Sequence, residues 1–294
     1  MVLKVIMDNF SEKLKNFIKE NSLSLYSVSI GYGDECYENI SIAKSSICKN
    51  SYSVAKLFVV SAIGFLYDMK QLSLSDKVLD ILKDEIPSDI FPLIDKRWEE
   101  VSIDTALRHG LALPGGFLDI DCCDPREFGN DYLSYMLTYP LSGNHGERFV
   151  YTDGAYYLLA RCVERISGKR LDEFLWEKLF SPLLFREVAW SCCPLSHSMG
   201  ATGLYISTED MAKLGRVYLN DGKFCGKEIL SKNWVDSVYE RGYELRKIRG
   251  SIYGKGGMLG QMLAVIKDKG VSVAWHGYND FDGDSLINFI YNSI

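Results

Sequence analysis

Ser53-Val54-Ala55-Lys56-Leu57-Phe58-Val59-Val60-Ser61-Ala62-Ile63-Gly64-Phe65-Leu66 is the stretch on which the reading of this chain turns. Beyond its first turn it is apolar on almost every side, and such a helix must be buried nearly all round. Its polar opening therefore needs a reason. Residues i and i+3 share a helix face, so Lys56 Nζ can approach Ser53 Oγ at the helix start. The unpaired N–H groups of a helix start also favour negative charge developing on that serine. Ser41-x-x-Lys44 and Ser46-x-x-Lys49 have the same spacing. Neither opens a long apolar helix, and there the pair reads as a capping serine with a snorkelling surface lysine. Only at Ser53 is the lysine expected to be stripped of water.

Outward from this helix, the pattern changes on both sides. Residues 8–21 have helical periodicity, followed by two alternating segments, Leu25–Gly31 and Cys36–Ile42, with Gly33-Asp34-Glu35 as the turn of a β-hairpin. The middle third is helical and loop-rich, broken by Pro87, Pro92, Pro114-Gly-Gly, Pro125 and Pro140. Helices are expected over 155–167 and 171–179, and Ser207-Thr-Glu-Asp carries the capping signal for another that runs to Leu219. Residues 260–266 and 271–275 read as strands about the turn Lys267-Asp-Lys-Gly, and 284–290 as a closing helix. The pattern predicts an α+β fold: an antiparallel sheet formed by N- and C-terminal strands, flanked by helices, with an inserted mainly helical subdomain. The expected organisation is one unit over 1–294, with an α/β lobe of 1–75 plus 200–294 and a helical lobe of 76–199.

Composition narrows the partners. The 294 residues carry a net charge of -6 with no clustered basic run, which argues against nucleic acid and anionic membrane surfaces. No stretch approaches the roughly 18 apolar residues of a spanning helix, and Met1-Val-Leu-Lys-Val-Ile-Met-Asp lacks the long apolar core of a secretory signal. A cytoplasmic location is the expectation. The eight cysteines include the adjacent pairs Cys122-Cys123 and Cys192-Cys193, awkward for disulfides, and thiols in a reducing compartment are expected. Four separated histidines without an HExxH pattern offer no metal set, so neither metal nor organic cofactor is expected.

Two further motifs gain meaning beside Ser53-x-x-Lys56. Tyr151-Thr152-Asp153 stands just before a helix, where a loop tyrosine can hold its hydroxyl in a cleft. Alone it would be one more packed tyrosine among 18. Lys255-Gly256-Gly257, followed by Met258 and Gln261, places glycines along a strand where a ligand can approach the backbone closely. Alone it would be a turn with a surface lysine.

Together, in this order and separation, the three resemble the SxxK, polar-triad and KTG set of penicillin-recognising serine enzymes. The chain is similar to the class C β-lactamase-related serine hydrolases, which include D-alanyl-D-alanine carboxypeptidases, D-amino-acid amidases and family VIII esterases. Residues 64–78, 151–168 and 200–214 resemble family segments as well. There are departures. Asp153 stands where the family usually has Asn, Gly256 replaces a Thr or Ser, and Leu107-Arg-His-Gly-Leu lacks the serine of the usual "HTSGL". Each weakens an antibiotic-hydrolysing reading more than a hydrolase reading.

The resemblance implies cleavage of an ester or amide, peptides included, through an acyl-Ser53 intermediate. Serine needs a partner to take its proton. Two nearby lysines would favour the Tyr151 phenolate by opposite charge, and an Asp153 aimed at Lys56 would keep that lysine protonated. Tyr151 is thus the expected general base with Lys56 as electrostatic partner; a neutral Lys56 acting as base is the rival. By resemblance, the oxyanion hole would use the amides of Ser53 and Met258, and Lys255 would meet a carboxylate on a small or peptide-like substrate. Gln261 and Tyr32 are expected to line the pocket. Two alternatives stand beside this: a β-lactamase or D-alanyl-D-alanine carboxypeptidase, and a catalytically silent binding or sensor domain of the same fold.

Overall fold

The computed structural model describes residues 2–34 and 36–294. In chain order come α1 (Val2–Glu20), β1 (Leu25–Gly31), β2 (Tyr37–Ser41), β3 (Lys49–Asn50), α2 (Ala55–Asp68), α3 (Val78–Leu82), α4 (Ile103–Leu107), α5 (Tyr132–Thr138), α6 (Asp153–Ser167) and α7 (Leu171–Leu175). Then follow β4 (Ala189–Trp190), β5 (Leu204–Ile206), α8 (Thr208–Leu219), β6 (Lys223–Phe224), β7 (Lys227–Glu228) and α9 (Lys232–Arg241). The chain closes with β8 (Arg246–Arg249), β9 (Ile252–Gly257), β10 (Gln261–Ile266), β11 (Val271–Gly277) and α10 (Gly283–Ser293). Among the described residues none of the helices is long and apolar enough to cross a membrane.

The main sheet is antiparallel in the order β2-β1-β11-β10-β9-β8, so N-terminal strands complete a sheet begun at the C-terminus. Alternation along the strands assigns the layers. Val28, Ile30, Ala264, Ile266, Val273 and Trp275 point to one face and pack with α1 and α10. Leu263, Val265 and Ala274 point to the other, into the larger core built on α2, α6 and α8. Strands buried on both faces need apolar residues at successive positions, which is why β10 and β11 read as continuous hydrophobic runs. Gly215 lets α8 lie close on β11, since a Cβ there would come 2.9 Å from Ser272 Cβ.

The expected α+β architecture is what the chain adopts, with the mainly helical stretch α3–α7 set between the sheet-forming ends. The capped helix 208–219 is present, with Ser207 accepting from the Asp210 amide. Residues 171–179 differ: α-helix ends at Leu175 and continues as a π-helical turn, Trp176–Phe180. α9, β8 and the short strands β3–β7 are additional to the expected elements. The expected 33–35 hairpin turn includes a residue outside the described ones.

Candidate active site

Ser53 lies in a 3-10 turn, Tyr52–Val54, that leads directly into α2. The turn is held from below. Ser51 N–H donates to Leu204 O (2.8 Å), and the Asn50 side-chain oxygen accepts from the Tyr52 and Gly203 amides. Tyr52 takes a left-handed φ of 47°, a conformation costly for a non-glycine residue and kept only where the surroundings enforce it. One turn on, Lys56 has no solvent exposure. Its ammonium donates to Ser53 Oγ (2.9 Å), Asp153 Oδ1 (2.7 Å) and Ala201 O (3.1 Å). An ammonium has three donors and no acceptor, so this environment satisfies it completely. Burial opposes its charge, but Asp153, Tyr151 and Glu244 outweigh that and hold Lys56 protonated above the ordinary lysine range.

Tyr151 stands on the loop before α6. Thr152 is the N-cap of that helix, accepting from the Gly154 amide, and Asp153 is its first residue, where the helix dipole favours a carboxylate. The loop is pinned by Val150 N–H to His109 O and Gly116 N–H to Tyr151 O, both 3.0 Å. Tyr151 OH accepts from Lys255 Nζ (3.0 Å), and its ring lies 4.7 Å from Lys56 Nζ and 4.9 Å from Lys255 Nζ. Lys255 is on β9, whose end approaches the nucleophile turn: a Cβ on Gly257 would sit 2.7 Å from Ser51 O and 3.2 Å from Ser53 N. Gly256 has ordinary space, with nothing nearer its Cβ position than 3.7 Å. Met258 follows, partly exposed, where the chain leaves the strand.

The fold thus brings Ser53, Lys56, Tyr151, Asp153 and Lys255–Met258 to one crevice. Tyr32 does not join them, and Gln261 pairs with Gly257 but turns its polar end away. The Gln261 amide donates to Gly277 O and its oxygen accepts from Gly277 N–H, bridging β10 and β11. Tyr32 is half-buried against the layer formed with α1 and α10. Of the other two Ser-x-x-Lys stretches, the Ser46 and Lys49 side chains meet at the surface at 3.5 Å.

Two buried residues join the crevice without having been singled out for it: His109 and Glu244. The Thr152 amide donates to His109 Nδ1 (3.3 Å), which fixes Nδ1 as acceptor and leaves the proton on Nε2. That Nε2–H donates to Glu244 Oε1, while Glu244 Oε2 is paired with Lys255 Nζ. Burial alone would raise the Glu244 carboxyl, but Lys255, His109 and Lys56 together hold it below the ordinary carboxylate range. Burial pushes His109 down, consistent with a neutral ring. Its ring also packs against Tyr151, centroids 4.6 Å apart. The signal for Glu244 in the sequence is faint: an acid between Tyr243 and Leu245, with no motif around it.

Comparison with known proteins follows the same lines. The family model for β-lactamase matches residues 50–278, well over half of the chain. The chain belongs to the β-lactamase family. Among curated relatives, a 6-aminohexanoate-dimer hydrolase of Paenarthrobacter ureafaciens is 29% identical over 116 residues, covering 38% of this chain and 29% of that protein. An N-acetylmuramyl-L-alanine amidase of Bacillus subtilis (strain 168) is 28% identical over 140 residues, covering 44% and 30%. The matched stretches therefore span less than a third of either relative. Among solved structures, a penicillin binding protein from Bacillus halodurans superimposes with a TM-score of 0.71 at 16% identity, over 96% of this chain and 100% of that one. That likeness is one of fold.

Proposed function

We propose that this member of the β-lactamase family is a serine hydrolase that cleaves an ester or amide through an acyl-Ser53 intermediate. One observation carries the reading: Lys56 spends all three ammonium donors on acceptors, and Ser53 Oγ is one of them. Ser53 accepts from Lys56, so its own proton must leave toward another group, and Lys56 has no lone pair to receive it. Tyr151 is the base in this reading. The Lys255 ammonium donates to its oxygen and stabilises negative charge there. The proton moves from Ser53 Oγ to Tyr151 O while Oγ bonds to the carbonyl carbon. The charge on the carbonyl oxygen is met by the Ser53 and Met258 amides, a pair of donors able to lower the barrier by several kcal/mol. Tyr151 then gives the proton to the leaving oxygen or nitrogen as the C–O or C–N bond breaks. Water resolves the acyl ester by the same steps in reverse.

The names of the relatives, a dimer hydrolase and an amidase, support hydrolysis, amide cleavage included, as the class of reaction. One catalytic unit, two lobes and a cytoplasmic location belong to the same proposal. The test is a comparison of short-chain p-nitrophenyl esters, a short amide and nitrocefin on wild type and Ser53→Ala. Ester or amide turnover that vanishes in Ser53→Ala supports the proposal. Nitrocefin as the only substrate favours a β-lactamase, and no Ser53-dependent turnover favours a silent binding domain.

A further inference from the structure

The crevice holds two ammonium groups and yet carries no net positive charge. Lys56 is paired with Asp153 and Lys255 with Glu244, and the two carboxylate side chains are 8% and 1% exposed. A third carboxyl, Asp121, accepts the Thr202 hydroxyl and acts electrostatically on Lys56 and Asp153. The Lys255 ammonium is further occupied by Tyr151. Its neighbour Gly256 offers no hydroxyl. A substrate carboxylate brought to Lys255 would share that one ammonium with the Glu244 carboxylate, where little water screens the repulsion.

We propose that Glu244 is a specificity-determining residue: it cancels the charge of Lys255 and fits the crevice to uncharged esters or amides, excluding substrates with a carboxylate beside the scissile bond. The proposal deepens the hydrolase reading and rests on it. His109 makes the arrangement permanent, because its Nε2–H occupies Glu244 Oε1 and leaves Oε2 for the lysine. Glu244 itself is held in a left-handed backbone conformation, φ 60°, which a non-glycine residue adopts only at a cost. The loops that carry the site also present apolar surface: Met258 is 36% exposed and Phe149 is 53% exposed. A further cation, Arg246, is stacked over the Phe149 ring at 4.5 Å.

The test uses two matched pairs. Methyl 3-acetoxybenzoate and 3-acetoxybenzoate share the scissile acetyl ester, read by release of acetate, and differ in whether the leaving phenol carries a neutral methyl ester or a carboxylate. The expected kcat/KM in wild type favours the methyl ester by about tenfold or more, and Glu244→Gln narrows that ratio by about tenfold. Phenylboronic acid and 3-carboxyphenylboronic acid repeat the comparison as binding constants, measured calorimetrically. Tighter binding of the uncharged member is expected. If Glu244→Gln does not fold, the wild-type pairs decide alone. An acid hydrolysed or bound as well as its uncharged partner overturns the proposal, and so does binding of neither boronic acid. Selective binding of the uncharged boronic acid without turnover of either ester leaves the charge selectivity standing and removes the hydrolase reading.

Discussion

Lys56 and Lys255 are alike in chemistry and opposite in setting. Lys56 sits in the first turn of a buried helix, has no exposure, and is closed by three acceptors. Lys255 sits on a strand near the sheet margin, keeps a little exposure, and is tied to a glutamate and a tyrosine. The partner of Lys56 comes from a motif three positions long, Tyr151-Thr152-Asp153. The partner of Lys255 comes from a turn eleven residues before it, which the hairpin β8–β9 folds back. A lysine on a helix start is thus a proton-holding device built locally, and a lysine on a strand takes its character from whatever the neighbouring turn supplies.

Tyr151 touches both settings, so it breaks the comparison most sharply. Tyr151→Phe is expected to lower kcat by about 10²–10⁴-fold, with urea stability close to wild type. If Lys56 were the base instead, Tyr151→Phe would cost far less. In that case a pH–rate profile of Lys56→Arg would lose its basic limb.

Removing one carboxylate from the closed side comes next. Asp153→Ala leaves a fully buried ammonium with one acceptor fewer, and a loss of about 3–5 kcal/mol in denaturant unfolding is expected. An unchanged midpoint would mean that Lys56 sheds its proton.

On the Lys255 side, pH gives the sign. Glu244 binds its proton more weakly folded than unfolded. Its contribution is therefore present above the ordinary carboxylate range and lost as pH falls through that range toward the folded value. Between about pH 5 and 3 the wild type is expected to lose on the order of 1–2 kcal/mol more than Glu244→Gln in the same titration. Parallel acid limbs would contradict the pairing.

The smallest effects separate the two glycines of β9. Gly256→Thr finds ordinary contact distances and is expected to shift stability by less than about 0.5 kcal/mol. Gly257→Ala meets Ser51 O at 2.7 Å and must push β9 off the nucleophile turn, lowering both stability and activity. Equal tolerance at both positions would show that β9 does not abut Ser53.

What could be read from the chain follows from where each signal lies. The apolar helix after Ser53, the Ser207 cap, the alternation of β1 and the continuous apolar runs of β10 and β11 are local signals, and they decide the sheet and its helices. The two short motifs at 151–153 and 255–257 carry meaning only through their order beside Ser53. Glu244 has neither period nor motif, and His109 lies in Leu107-Arg-His-Gly-Leu, a stretch that stood out only for the serine it lacks; the return of β8 onto β9 and the approach of the 107–111 segment to the Tyr151 loop bring them in. Gln261 shows a related limit: its polar end is claimed by Gly277 across the sheet, a contact invisible in the strand's own pattern.

Incubating the protein with a fluorophosphonate and mapping the adduct by peptide mass spectrometry tests directly whether this crevice activates an alcohol. A single adduct on the peptide that contains Ser53, absent from Ser53→Ala and much slowed in Tyr151→Phe, is the predicted result. An intact, unlabelled Ser53, or equal labelling in Tyr151→Phe, would contradict it.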